Sequence, residues 1–265
     1  MNGSAGVCLI RLELAYTYRV YVYFMKNNIF ITGAGSGIGF ALAEYYSLNS
    51  YRSGTKAQLI LTDRDHDRLN QTRRFCENFG VKVTSKAIDV RDQTEMREWL
   101  EEVDKEQPID LLIANAGMAN EEETLQDTAD IFAVNVDGSM HTIMPVLGRM
   151  LDDDKGQIAV VSSLAAYRPM PEFPAYAKAK QTTMRLGLNL RKTFRDNGSQ
   201  VKVNVICPGF VSTPLEQAVK GSKPFKISAS KAARIIAEGL DKDKAIITTV
   251  PQPVHLALRK LSPDR

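Results

Sequence analysis

Short apolar runs alternate with longer amphipathic stretches from residue 26 onward. Runs rich in aliphatic and β-branched residues predict seven strands, at 28–32, 59–62, 82–87, 111–115, 157–162, 202–207 and 245–249. Helical periodicity predicts helices at 37–49, 66–79, 93–106, 124–151, 175–197 and 230–239. Strands that alternate with helices are typical of an α/β fold, so we expect three layers, with helices on both faces of a sheet of seven mostly parallel strands.

The chain lacks a linker rich in proline, serine or glycine, which predicts a single domain over residues 25–265. Residues 1–24 stand apart from it. Their apolar and aromatic run is interrupted by Arg11, Glu13 and Arg19, whereas a signal peptide keeps an uninterrupted apolar centre. We therefore expect an N-terminal extension whose status the sequence leaves open.

Charge and cysteine content exclude several function classes. The net charge is +3 over 265 residues, and basic residues alternate with acidic ones instead of forming the dense basic face that binds nucleic acid. Cys8, Cys76 and Cys207 are odd in number and form no CxxC pair, so we expect no disulfide framework, no metal site and a cytoplasmic location. No apolar run reaches the roughly 18 residues of a membrane span.

The first predicted strand runs directly into a glycine-rich turn, Thr32-Gly33-Ala34-Gly35-Ser36-Gly37-Ile38-Gly39. Glycines in such a turn let the backbone approach a pyrophosphate, whose oxygens bind at the positive N-terminus of the next helix. Gly33, Gly37 and Gly39 follow the pattern G-x-x-x-G-x-G, with Ser36 and Ile38 between them. The residues predict a dinucleotide site, although such turns also occur for packing alone.

Acidic residues follow the second and third predicted strands. Asp63 can accept hydrogen bonds from the hydroxyls of an adenosine ribose and repel a 2′-phosphate, which favours NAD. Arg64, directly after it, could pair with that phosphate and keeps NADP possible. Asp89, followed by Val90, is placed to meet the adenine edge, and it could equally be the N-cap of the helix at 93.

Tyr176 and Lys180 are four residues apart on a predicted helix, so they lie one turn apart on the same face. Such a pair is common by chance, and its significance depends on the residues around it. The fourth strand ends in Asn115-Ala116-Gly117, Asn135 lies in the following helix, and Ser163 precedes Tyr176 by thirteen positions.

Taken together, residues 27 to 249 resemble the short-chain dehydrogenase/reductase family in its single-domain form. The resemblance implies a Rossmann-type doubly wound sheet and a nicotinamide cofactor. It assigns catalytic roles to Asn135, Ser163, Tyr176 and Lys180, and it adds cofactor contacts at Asn115, Ala116, Gly117, Tyr176, Lys180, Pro208, Gly209, Val211 and Thr213. In the family, Asn115 would stabilise the central sheet and the Pro208 to Thr213 segment would hold the carboxamide.

The resemblance also implies a mechanism. Tyr176 would exchange the hydroxyl proton of a secondary alcohol or ketone during hydride transfer, while Ser163 holds the same oxygen. Such a role asks for a tyrosine pKa two to three units below about 10, or about 3 to 4 kcal/mol. A cation about 4 Å away supplies about 4 kcal/mol at an effective dielectric near 20, so we expect Lys180 to lower that pKa. Asn135 would position a water that links Lys180 to solvent.

The substrate side is predicted to be apolar. A loop with three prolines at 164–174, Phe210 and a lid at about 214–227 that includes Leu215, Val219 and Phe225 would wall the pocket. This favours a hydrophobic secondary alcohol or ketone, although these side chains could also pack on one another. The tail at 250–265 has an apolar face and a basic face bearing His255; we expect it to pack against the protein, with contact to an anionic membrane surface as the alternative.

The long predicted helices at 124–151 and 175–197 correspond to those through which relatives form dimers or tetramers, so the resemblance implies a homo-oligomer. Two other functions stay open at this point. One is an NADPH-dependent reductase of acyl-chain ketones, which Arg64 favours; the other is a non-catalytic dinucleotide sensor, against which the intact Asn135, Ser163, Tyr176 and Lys180 argue.

Overall fold

The computed structural model describes residues 27–120, 123–168, 170–217 and 222–260. The predicted extension at 1–24, Val219 of the predicted lid and the end of the tail from residue 261 lie outside the described residues.

Seven parallel strands form one sheet, in the order β3-β2-β1-β4-β5-β6-β9. In chain order the described strands are β1 (Asn28–Thr32), β2 (Gln58–Asp63), β3 (Lys82–Ala87), β4 (Leu111–Ala114), β5 (Gln157–Val161), β6 (Lys202–Cys207), β7 (Val211–Ser212), β8 (Ile227–Ser228) and β9 (Ile246–Thr248). All seven predicted strands are thus present. The sequence did not predict β7 and β8, which pair with each other outside the main sheet, because two residues are too short to show a period.

Helices cover both faces of the sheet, as predicted. The described α-helices are α1 (Gly37–Ser53), α2 (His66–Glu77), α3 (Gln93–Glu106), α4 (Leu125–Phe132), α5 (Gly138–Asp152), α6 (Pro174–Asp196), α7 (Pro214–Gln217), α8 (Ala229–Asp241) and α9 (Gln252–Lys260), of which α7 and α9 lie outside the two layers. The predicted helix at 124–151 is divided into α4 and α5 by a π-helical turn, Ala133–Asp137, which contains Asn135. None of the described helices is long and apolar enough to cross a membrane.

The core has two halves, because side chains of a strand point alternately to opposite faces of the sheet. In β1, Phe30 packs with Trp99 of α3 and Ile143 of α5 on one face. Ile29 and Ile31 pack on the other face, where α1, α2 and α8 cover the sheet. Both faces of β1 are therefore buried, which explains why its sequence is a continuous apolar run.

The carboxyl ends of β1 and β4 are tied together by hydrogen bonds. The Thr32 hydroxyl accepts from the backbone N–H groups of Asn115 and Ala116 at 2.9 and 3.0 Å, and the Asn115 amide donates to the Thr32 carbonyl at 2.9 Å. The strand order reverses direction between β1 and β4, and open α/β sheets bind ligands at such a switch point. The fold thus places a ligand site beside Thr32 and Asn115.

The tail helix α9 packs against the body of the protein. Leu258 contacts a cluster that includes Tyr167 and Cys207, and the Tyr167 hydroxyl lies 2.9 Å from Nε2 of His255. His255, which was predicted on the basic face of the tail, thus contacts the buried side chain of Tyr167. Leu256 of this helix is an exposed large hydrophobic side chain.

Candidate active site

A cleft of about 760 Å³ opens at the carboxyl edge of the sheet. Every predicted cofactor residue except Gly39 lines it: Gly33, Ser36, Gly37, Ile38, Asp63, Arg64, Asp89, Val90, Asn115, Ala116, Gly117, Tyr176, Lys180, Pro208, Gly209, Val211 and Thr213. These residues come from the carboxyl ends of six different strands of the main sheet and from the segments that follow them. Parallel strands end at one edge, so the topology brings together residues that are 180 positions apart in the chain.

The glycine turn lies between β1 and α1. Gly33 and Gly37 have φ angles of +65° and +56°, which side chains rarely tolerate. A Cβ on Gly39 would lie 2.1 Å from the carbonyl oxygen of Gly33, so Gly39 lets the helix pack on the turn and does not itself line the cleft. Ser36 is the N-cap of α1, but its side chain makes no capping hydrogen bond, and no acidic residue lies in the first helical turn. This positive helix end can therefore receive an anion.

Asp63, the last residue of β2, lies at one end of the cleft. Its carboxylate accepts from the backbone N–H of Gly35 at 2.8 Å and from that of Asp65 at 2.9 Å. Each carboxylate oxygen keeps a second lone pair, so Asp63 can still accept further hydrogen bonds. Arg64 beside it is exposed, and Arg68 of α2 also lines this end of the cleft.

Asp89 faces the cleft and pairs with Arg91. The guanidinium of Arg91 donates to the Asp89 carboxylate at 2.7 to 3.1 Å, and this hydrogen bonding lowers the pKa of Asp89. The alternative that Asp89 caps the helix at 93 is wrong, because Asp92 is the N-cap of α3 and accepts from the N–H of Glu95 at 2.9 Å. Asp92, not Asp89, directly precedes the first residue of α3 and so occupies the capping position.

Ser163, Tyr176 and Lys180 converge in the middle of the cleft. Ser163 follows β5, and Tyr176 and Lys180 lie in the first two turns of α6. Tyr176 is half-buried; the loss of water around its phenol raises the pKa of that group, while a hydrogen bond with Ser163 lowers it by less. The structure thus brings Ser163 and Tyr176 into the same part of the cleft, and the catalytic roles that the resemblance implies for them stay a prediction.

Lys180 is buried, with 3% of its surface exposed, and its ammonium donates to the Val161 carbonyl at 3.0 Å. Burial lowers the pKa of Lys180 to about 8. Its Nζ lies 5.8 Å from the centre of the Tyr176 ring. The expected lowering of the Tyr176 pKa is not met, because desolvation of the phenol raises this pKa above its ordinary value.

Asn135 is buried in the π-helical turn behind these residues. Its amide group donates to the carbonyl oxygens of Met118 and Ile131, both at 2.8 Å, which settles the orientation of the side chain. Its buried Oδ1 has no hydrogen-bond partner among the described groups. A Cβ on Gly117 would lie 2.8 Å from this oxygen and 3.1 Å from Lys180 Nζ, so both groups border the same small space.

The other end of the cleft is walled by apolar side chains. They come from the segment after Ser163, the loop after β6, the lid and the tail helix: Leu164, Met170, Phe173, Phe210, Leu215, Phe225, Val250, Val254 and Leu258. Thr213, at the start of the lid, lies against the glycine turn, since a Cβ on Gly37 would be 3.2 Å from its Cβ. Pro169, in the loop after Ser163, lies outside the described residues.

Several cleft-lining side chains have no counterpart in the sequence-based assignment of the site, among them Arg68, Arg168, Val254 and Leu258. Arg68 lies on the first turn of α2, only five residues after Asp63, so its position in the chain could have indicated it. Arg168 belongs to a segment that was predicted to wall the pocket, yet as a cation it was given no role. Val254 and Leu258 lie on α9, and no local pattern specifies the surface on which a terminal helix packs.

Comparisons with known proteins agree with this geometry. The model of the short chain dehydrogenase family matches residues 27–223. An uncharacterized oxidoreductase of Staphylococcus saprophyticus is 29% identical over 238 residues, which are 88% of this chain and 94% of that protein.

Two solved structures share the fold. A short chain dehydrogenase/reductase of Burkholderia phymatum in complex with NAD has a TM-score of 0.78 at 24% identity, over 90% of this chain and 93% of that one. A short-chain dehydrogenase of Sphingobium yanoikuyae in complex with NADPH has a TM-score of 0.75 at 24% identity, over 88% and 90%.

The chain belongs to the short-chain dehydrogenase family, because the family match covers most of its length. It is an oxidoreductase of that class, and the predicted Rossmann-type fold and enzyme class are confirmed.

The burial of Lys180 should make the free energy of unfolding depend on pH. The pKa of this group falls from 10.5 to about 8 on folding, so between these values the unfolded chain holds more protons. The free energy of unfolding of the wild type, relative to that of a Lys180→Met variant, should rise by about 3 kcal/mol as the pH increases from about 8 to about 10.5.

Chemical denaturation of the cofactor-free protein at several pH values measures this difference. Lys178→Met is the matched control, since Lys178 lies exposed on the same helix. The assignment is contradicted if both variants differ from the wild type by a constant amount across this pH range.

Proposed function

We propose that this enzyme transfers a hydride between NAD and a hydrophobic secondary alcohol or ketone, with Tyr176 as the general acid and base. The convergence of Ser163, Tyr176 and Lys180 in the cleft that contains the glycine turn carries this proposal. The turn fits a pyrophosphate, because it combines positive φ angles at Gly33 and Gly37 with a helix end that no side chain caps. The nicotinamide ring supplies or accepts the hydride when bound.

Tyr176 exchanges the proton of the substrate hydroxyl, and Ser163 donates a hydrogen bond to the same oxygen. Lys180 binds the ribose next to the nicotinamide. Its Val161 bond leaves two of the three ammonium protons for this purpose. Burial raises the pKa of Tyr176, and the positive charge of an oxidised cofactor bound in this cleft would oppose that rise.

Asn135 contributes through its unpartnered Oδ1, which borders the same space as Lys180 Nζ. A water in this position would accept from the ammonium and donate to the amide oxygen. Since two carbonyls hold the Asn135 amide, this oxygen is the only part of the side chain that can receive such a bond. The arrangement supports a proton path from Lys180 toward solvent.

The preference for NAD rests on Asp63. Its carboxylate is held at the end of β2 by two backbone N–H groups, so it cannot turn away from a ribose bound there. A 2′-phosphate would meet this negative charge. Arg64 and Arg68 line the same end of the cleft and are the groups that would bind the 2′-phosphate of NADP. Binding of NADP through them would favour the alternative function, an NADPH-dependent reductase of acyl-chain ketones.

We further propose a homo-oligomer located in the cytoplasm. Leu125 of α4 and Met144 of α5 are exposed by 93% and 55%, and they present apolar surface that a second subunit would cover. The free thiols of Cys76 and Cys207 are buried and suit a reducing compartment.

Tyr176→Phe removes the proposed acid and base while it keeps the ring. Turnover should fall at least about a thousandfold, and the Kd for NAD should change less than about threefold, because the phenol serves the proton and not the pyrophosphate. Initial rates and fluorescence titration of the cofactor measure the two effects. Undiminished turnover of Tyr176→Phe would contradict the role of Tyr176 as acid and base. If the wild type binds NAD but oxidises no alcohol in a broad panel, the alternative of a non-catalytic dinucleotide sensor is favoured.

Asp63→Asn removes the charge and retains much of the shape of the side chain. We expect the Kd for NAD to rise about tenfold and the Kd for NADP to stay constant or fall, since a ribose acceptor is lost and a 2′-phosphate is no longer repelled. Arg64→Ala is the counterpart and should weaken NADP alone. An unchanged ratio of the two Kd values in Asp63→Asn contradicts the assignment of the adenosine end.

The apolar end of the cleft predicts that kcat/KM rises with the apolar area of the substrate, by about tenfold for each additional 55 Å² buried. A homologous series of secondary alcohols measures this slope. Leu258→Asp should raise KM for the larger members at least about fivefold, because a charge then lies in the wall. Leu256→Asp is the control on the same helix, as Leu256 points away from the cleft. Equal effects of both variants would contradict the assignment of this wall.

A further inference from the structure

The N-terminus of α6 lacks a cap of its own. Phe173 precedes the helix and makes no side-chain capping hydrogen bond, and Pro174 at the first position has no N–H. The first N–H groups of a helix have no acceptor inside the helix. Those of Ala175 and Tyr176 therefore need acceptors from elsewhere in the protein.

Glu123 supplies both acceptors from a distant part of the chain. Its Oε2 accepts from the N–H of Ala175 at 2.6 Å, and its Oε1 accepts from the N–H of Tyr176 at 2.9 Å. One carboxylate thus binds two neighbouring backbone groups, and its charge is favourable at the positive end of the helix. One of these two N–H groups belongs to Tyr176, whose side chain lies in the active site.

The backbone around Glu123 is held in an uncommon conformation. Its φ angle is +41°, a region that non-glycine residues seldom occupy. Thr124 follows it as the N-cap of α4 and forms a capping box with Asp127, whose carboxylate also accepts from Asn120 at 2.6 Å. Local bonds on both sides thus hold the segment while the Glu123 side chain reaches α6.

This segment connects two parts of the active site. It is the loop after β4 that begins at Gly117, next to Asn135 and Lys180. Apolar packing follows the same path, because Met118 and Tyr176 both pack against a cluster that contains Ala175 and Ala179. The carboxylate of Glu123 is the polar contact that joins the far end of the loop to the first turn of α6.

We propose that Glu123 is a positioning residue, which clamps the first turn of α6 to the loop after β4 and so sets the place of Tyr176 relative to Ser163. The expected effect of Glu123 on turnover rests on the proposed function, whereas its effect on the stability of the first turn of α6 does not depend on that function. If Glu123 merely stabilised the fold, its removal would have the same effect as removal of another helix cap. Asp92 is the carboxylate cap of α3 and serves for comparison, because α3 bears none of the cleft residues.

Three variants separate these roles. Glu123→Ala removes both bonds, Glu123→Gln keeps one acceptor oxygen for two N–H groups, and Asp92→Ala removes a carboxylate cap of the same kind from α3. Hydrogen exchange of the peptide that covers residues 174–180 reports on the helix without any need for activity. Initial rates then give kcat and KM, and thermal unfolding gives the general loss of stability.

We expect exchange at the amides of residues 175–177 to quicken about fivefold in Glu123→Ala and by a smaller factor in Glu123→Gln, since a helix cap of this kind is worth about this factor. The value of kcat should fall about five- to tenfold in Glu123→Ala, less in Glu123→Gln, with the Kd for NAD within about twofold of that of the wild type. Asp92→Ala should lose similar stability and leave both exchange in α6 and kcat unchanged.

Equal kcat values in Glu123→Ala and Asp92→Ala would overturn the proposal, as would unchanged exchange at 175–177. If Glu123→Ala does not fold, the same comparison is made with Glu123→Gln, and a kcat equal to that of the wild type then overturns it. A wild type without turnover on any alcohol overturns the proposed function instead; exchange at 175–177 still decides whether Glu123 holds the helix.

Discussion

Hydrogen bonds between Thr32 and the Asn115–Ala116 peptide hold the ends of β1 and β4 together, and the rest of the site depends on them. The glycine turn leaves the sheet on one side of this junction, and the loop that begins at Gly117 leaves it on the other. A ligand between them therefore contacts both halves of the doubly wound sheet. The Asn115 amide also donates to the Gly33 carbonyl at 3.3 Å, so the same junction holds the backbone of the glycine turn in position.

Burial of charge determines what the centre of the cleft can do. Lys180 is enclosed with a single described hydrogen bond from its ammonium, and burial lowers its pKa to about 8. The same enclosure raises the pKa of Tyr176. Each group is thereby moved toward its neutral form, and a bound anionic or cationic group changes this balance more than it would in water. The site is thus poised to respond electrostatically to its ligands.

Much of the fold was predictable from residue patterns. Continuous apolar runs such as β1, buried on both faces, were recognised as strands, and Ser163, Tyr176 and Lys180 were assigned from motifs that resemble those of the short-chain dehydrogenase/reductase family. The role of Asp89 could not be decided from the sequence, since a carboxylate shortly before a helix can be a cap or a ligand contact. The structure decides it, because Asp89 pairs with Arg91 and Asp92 is the N-cap. The direction of the Tyr176 pKa was also missed, because spacing along a helix gives no measure of enclosure.

The sequence by itself determined the order of the elements and the type of chemistry, because helical and strand periods, glycine turns and a Tyr-x-x-x-Lys pair are local properties of the chain. Tertiary structure alone decided how α9 closes the apolar end of the cleft and how Glu123 meets a helix that begins 51 residues later. Contacts of this kind join segments that are distant in the chain, and they depend on the positions of the sheet edge and of the neighbouring helices, which no local pattern specifies.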